Sequence, residues 1–121
     1  MLRRLLTTVG GWTIITANLV CLGALNGIAW ILATSGDAKV RNGSEAVLFA
    51  EQLVEATHRK APACLDTLAT AYVEAGQFEK TISTEKEAIA LAKEGAEKNG
   101  YSSRLTLYEA KKPYREQPRI E

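Results

Sequence analysis

From Ala46 onward the apolar residues recur with helical spacing. Ala46, Ala50, Leu53 and Val54 fall at i, i+4, i+7 and i+8. Ser44 is placed to N-cap this helix, and Glu45 stands at the positive end of its dipole. Arg59, Lys60 and Ala61-Pro62 mark its end and the next start. Leu65, Leu68, Ala69 and Tyr72 then share one face of a second helix, with Gly76 placed as its C′ residue. A third helix carries Phe78, Ile82, Ile89 and Ala92, and Asn99-Gly100 is expected to break it. Leu105, Leu107 and Tyr108 suggest a short last helix that Pro113 stops. No period-two pattern competes. The spacing therefore predicts an all-α fold of antiparallel helix pairs joined by short turns.

Upstream of Ser44 the pattern is less clear. Leu25, Ile28, Ala29 and Leu32 form a helical stripe over residues 22–33. The chain also runs from Leu5 to Gly36 without a charge, after Arg3 and Arg4. That is long enough for a membrane helix, though Thr7, Thr8, Gly10, Gly11, Thr13, Thr16 and Asn18 dilute its apolarity. Gly23 and Gly27 form a G-x-x-x-G that suits a close helix contact, so an oligomer through residues 5–27 is open. Two placements are consistent with this. Either a single N-terminal helix associates the chain with a membrane, or the chain is cytoplasmic and this helix packs onto the repeats downstream of it.

Composition separates these materials. The chain has 121 residues and a formal net charge of +1, which excludes a strongly basic nucleic-acid binder. Only Arg3 and Arg4 carry charge before Asp37, so the remaining charges lie in the second part. The organisation expected is an apolar segment at 1–21, a helical domain at 22–112 and a polar tail at 113–121. Towards the C-terminus the basic group Lys111, Lys112, Arg115 and Arg119 is broken by Glu109, Glu116 and Glu121 and reads as a solvated, frayed end.

The helices also repeat. Leu25-x-x-Ile28-Ala29-x-x-Leu32 aligns with Leu65-x-x-Leu68-Ala69-x-x-Tyr72. The stretch Leu65-Asp66-Thr67-Leu68-Ala69-Thr70-Ala71-Tyr72-Val73-Glu74-Ala75-Gly76-Gln77-Phe78 resembles a tetratricopeptide repeat (TPR), from its first helix through the glycine turn. The stretch 25–34 resembles the first helix of a preceding repeat. The loop Ser35 to Gly43 and the tail Leu107 to Tyr114 resemble the C-terminal end of bacterial TPR arrays. The resemblance implies two TPR-like helix pairs with a C-terminal capping helix, preceded by an apolar helix. It departs from the family where Thr81 and Glu85 stand on the inner side of their helix. Groove asparagines of sugar-transferase-linked members are missing at Gly27, Trp30, Thr67 and Thr70.

The function the resemblance implies is a non-catalytic interaction or scaffold module that holds a peptide or protein segment. By position in the repeat, Asn26, Trp30, Asp66, Thr70 and Glu74 face the binding groove. Two other readings stand beside it: the terminal fragment of a longer TPR protein, and a small membrane-assembly subunit. Reactive chemistry is sparse. His58 is the single histidine, Cys21 and Cys64 are far apart, and no phosphate-binding glycine motif occurs. No enzyme activity, cofactor, metal or nucleic-acid partner is expected.

Overall fold

The structure, a computed structural model, describes residues 11–116, with side chains from Leu22 onward. The membrane and packing expectations rest on the segment 1–21, of which residues 1–10 and the side chains of residues 11–21 fall outside this range. Among the described residues there are five helices and no strands: α1 (Gly11–Thr34), α2 (Gly43–Ala56), α3 (Pro62–Glu74), α4 (Phe78–Leu91) and α5 (Ala96–Glu109). Each helix from α2 to α5 packs against its predecessor, and α1 also packs against α3. No helix of the described residues is long and apolar enough to cross a membrane.

The expected faces of α2 and α3 are the ones that form the core. Ala46, Ala50, Leu53, Val54, Leu65, Leu68, Ala69 and Tyr72 are all buried. The alanines at the crossings, Ala29 and Ala69, are fully enclosed, which lets the helix backbones approach. Buried threonines return their hydroxyl hydrogens to the preceding turn, as Thr67 does to the Ala63 carbonyl and Thr81 to that of Gln77. That removes most of the penalty of enclosing a hydroxyl.

Several local expectations are corrected. The cap of α2 is Asn42, not Ser44. Its Oδ1 accepts from the Glu45 N–H while its Nδ2 donates to Glu45 Oε2, a reciprocal pair that Ser44, already inside the helix, could not make. The buried face of α4 is Thr81, Thr84, Glu85 and Ala88, while Phe78, Ile82, Ile89 and Ala92 are only half-buried at its flanks. Three of the four buried side chains are small, which lets α4 lie close against α3; Glu85 is the exception. Ile28, expected in the core stripe of α1, is 46% exposed, and Ile31 is exposed as well. Gly23 and Gly27 have no neighbour near the position a Cβ would take.

The helix ends show one device used three times. In α3, Gly76 has φ +81° and the N–H of Gln77 bonds back to the Tyr72 carbonyl. The same six-to-one closure ends α2, from Arg59 to Val54, and α5, from Lys112 to Leu107. There the left-handed residues are His58 and Arg59 after α2, at φ +54° and +55°, and Lys111 after α5, at φ +59°. His58 therefore satisfies the helix end with its backbone. The break before α5 lies at Gly95, with φ +122°, and not at Asn99-Gly100, which sit inside the helix. α5 is consequently a full helix of 14 residues rather than a short one.

Candidate functional site

α5 runs in the same direction as α3. Arg104 meets Asp66 and Tyr108 meets Thr70, pairs with the same sequence separation of 38 residues. α1 also packs against α3. These three helices wall a shallow groove of about 420 Å3, to which α1 gives Asn26 and Trp30, α3 gives Asp66 and Thr67, and α5 gives Gly100 and Arg104, among others.

The strongest interaction in the wall is a two-point ion pair. Arg104 Nε donates to Asp66 Oδ1 at 2.8 Å and Nη2 donates to Oδ2 at 3.0 Å. Asp66 is buried, so the fork geometry and the exclusion of water both strengthen the pair. Three aromatic rings surround the same guanidinium, with centroids 5.5 Å away for Trp30, 5.4 Å for Tyr101 and 5.3 Å for Tyr114. Burial works against the Arg104 charge, yet the hydrogen bonds and charge of Asp66 more than offset it and raise its affinity for the proton.

Behind Asp66 lies Glu85, which is fully buried. Neither of its carboxyl oxygens finds a donor among the described residues. Burial pushes its pKa up to about 10, the neighbouring Asp66 charge adds to the rise, and Arg104 offsets part of it. Glu85 is thus a neutral acid at pH 7. Two carboxylates cannot bond to each other, but a protonated Glu85 can donate to Asp66. One proton then reconciles an enclosed acid with the anion beside it. Burial likewise lifts the Tyr108 phenol, whose oxygen lies 2.8 Å from Thr70 Oγ1.

The five residues expected in a groove are distributed unevenly. Asn26, Trp30 and Asp66 line the groove together. Thr70 is fully buried and paired with Tyr108, so nothing from outside reaches it. Glu74 lies further along α3, where Arg41 Nε at 3.1 Å and Arg115 Nη1 at 2.6 Å take its two oxygens. Asn26 Oδ1 is closed off from solvent and accepts no hydrogen bond from the described residues.

The sequence reading missed Arg104, Tyr101 and the start of the tail. A signal existed for the first two: Tyr101, Arg104 and Tyr108 fall at i, i+3 and i+7, on one face of a helix. Residues 114–116, expected to fray, are docked instead. Tyr114 packs on Trp30, with centroids 5.7 Å apart, and Trp30 Nε1 donates to Glu116 Oε1 at 2.9 Å. Arg119 lies outside the described residues.

His58 and Cys64 form no hydrogen-bonded pair in the structure, and His58 is exposed. Burial raises the Cys64 thiol's pKa, which disfavours the reactive thiolate. Among the described residues no group of three or more His, Cys, Asp or Glu side chains could hold a metal ion.

By fold the chain is an all-α protein whose helices α1, α3 and α5 present one open groove. Comparison with protein-family models, curated proteins and solved structures finds no match for it.

Proposed function

We propose that this protein is a non-catalytic interaction module that holds a peptide or protein segment in the groove between α1, α3 and α5. The observation that carries the reading is the convergence itself. Three helices separated in sequence bring aromatic and polar side chains to one open groove. Trp30 offers flat apolar area at low entropic cost and the exposed Glu97 offers charge, while Asp66, Arg104 and Tyr101, largely withdrawn from water, form the floor. A TPR-like stack accounts for the co-directional helices and for the turn at Gly76. In that reading α5 is the capping helix.

A pull-down with groove-filling variants tests this. Gly100→Gln adds a side chain where a Cβ would meet only Arg104, at 3.6 Å, so it fills the groove without disturbing the core. Glu97→Lys reverses a charge at the rim. Wild type and the exposed-site control Lys86→Ser should capture the same proteins, and the two groove variants should lose at least one of them. Retention of every partner by both groove variants overturns the reading.

A second reading, the terminal unit of a longer TPR protein, draws on one observation. Ile28, Ile31 and Leu48, on the first two helices, are 46%, 54% and 61% exposed. Large apolar side chains in such positions suit a further helix packed against α1 and α2.

A further inference from the structure

The segment after α5 is held against the ends of α1 and α3 by contacts of four kinds. Lys111, in the left-handed region, turns the chain out of the helix, and Pro113 prevents its return. Tyr114 then packs on Trp30 and forms the third aromatic wall around Arg104. Arg115 takes one oxygen of Glu74, opposite Arg41 on the other. Glu116 accepts from the Trp30 indole and, through its backbone N–H, donates to the Thr34 carbonyl at 2.9 Å. Residues 112–116 have no regular secondary structure, so a short irregular segment makes an aromatic, a cationic, an anionic and a main-chain contact in succession.

That succession has the character of a ligand seated in a site. The receiving surface is built by other parts of the chain, since Glu74 is held by Arg41 and the Arg41 guanidinium is itself fixed by the Ser35 carbonyl at 2.8 Å. Trp30 lines both this surface and the main groove. We propose that the ends of α1 and α3 form a recognition site for an extended segment of the pattern aromatic–arginine–acid, and that Tyr114-Arg115-Glu116 is the chain's own resident copy. This rests on the groove-binding reading and names the chemistry of one class of ligand for it. A partner segment of that pattern competes with the resident one, and its arrival removes Tyr114 from the cage around Arg104.

The arithmetic of tethering sets the expected effect. A short linker gives a resident segment an effective concentration on the order of 1 mM. A free peptide with a dissociation constant near 0.1 mM would therefore bind the wild-type chain about tenfold more weakly than a chain whose own copy is disabled.

The test uses the full chain and a labelled, end-blocked peptide of sequence Lys-Lys-Pro-Tyr-Arg-Glu, followed by fluorescence anisotropy. Tyr114→Ala with Arg115→Glu disables the resident copy, and Arg115→Ala alone is the milder variant should the first one lose its fold. The double variant is expected to bind the peptide about tenfold more tightly than wild type does, and Arg115→Ala by a smaller factor in the same direction. Glu74→Gln introduced into the same background should abolish that gain, whereas Glu55→Gln, an equal change of charge at an exposed position on α2, should leave it in place. Equal affinity for wild type and both released variants overturns the proposal, as does absence of binding to either. A pull-down that fails while the peptide binds would count against the groove-binding reading alone. A pull-down that succeeds while the peptide never binds would count against the resident copy alone.

Discussion

The guanidinium of Arg104 on α5 grips both carboxylate oxygens of Asp66 on α3, and this pair ties the last helix to the body of the protein. The two residues are largely withdrawn from water, with side chains 17% and 7% exposed. Removing one partner therefore strands a charge rather than merely deleting a contact. Asp66→Ala is expected to cost about 3 kcal/mol of stability, read as a lower urea midpoint. The paired replacement Asp66→Leu with Arg104→Met should cost distinctly less than that single change, because neither charge is left behind.

Glu85 makes stability depend on pH in an unusual direction. Its folded pKa stands near 10, against an ordinary value of 4.5, so between those pH values the folded chain holds a proton that the unfolded chain releases. Glu85 thus contributes full stability below pH 4.5, and that contribution declines as pH rises toward 10, by up to about 1.4 kcal/mol per pH unit. Urea unfolding at a series of pH values should show this decline. Glu85→Gln cannot ionise, so its stability should be nearly flat over the same range and should exceed that of wild type at pH 8.

Gly43 opens α2 where the end of α3 passes very close. A Cβ there would lie 2.9 Å from the Ala75 nitrogen and from the Glu74 carbonyl carbon. These are backbone atoms and cannot swing aside. Gly43→Ala should therefore lower the thermal midpoint, by a loss of about 1–3 kcal/mol, although alanine is the better helix former.

Two helix ends can be improved. His58 and Lys111 hold left-handed geometry that a glycine adopts without strain. His58→Gly and Lys111→Gly should each raise stability by up to about 1 kcal/mol in chemical denaturation. Destabilisation by His58→Gly would show that its imidazole contributes more than its backbone does.

How much of this could be read beforehand depended on the kind of force involved. α2 was legible because its polar residues keep to one side, so periodicity marks Leu53 and Val54 as core. In α3 periodicity marks Leu65 and Leu68, but the helix is buried all round from Leu65 to Val73, and the enclosure of Asp66, Thr67 and Thr70 leaves no periodic signal. Asn26 and Trp30, four residues apart, share one face of α1 and line the same groove as Asp66. α5 was under-read because only Tyr101 and Tyr108 are buried among its residues, and Asn99-Gly100 resembles a breaker. Its attachment joins two widely spaced tyrosines to an ion pair and a cation–aromatic cage, which leaves only a sparse apolar stripe. Residues 114–116 were misread for the same reason: a charged segment after a proline looks solvated until Glu74 and Trp30 are found opposite it. Nor does any pattern reveal that His58 and Lys111 stand where glycine usually closes a helix. Glu85 was placed on the inner side of α4, but its proton required knowledge of Asp66 behind it.

Whether the groove between α1, α3 and α5 serves binding is tested most directly by Asn26→Leu, with thermal unfolding and partner capture measured on the same preparation. Asn26 lines the groove with an enclosed Oδ1 that accepts no hydrogen bond from the described residues. Replacing that side chain by an apolar one of similar size removes an unpaired polar atom, so stability should rise by about 1 kcal/mol. Proteins captured by wild type should be lost by the variant. A less stable variant, or a stabilised one that captures the same proteins, would contradict a binding role for the groove.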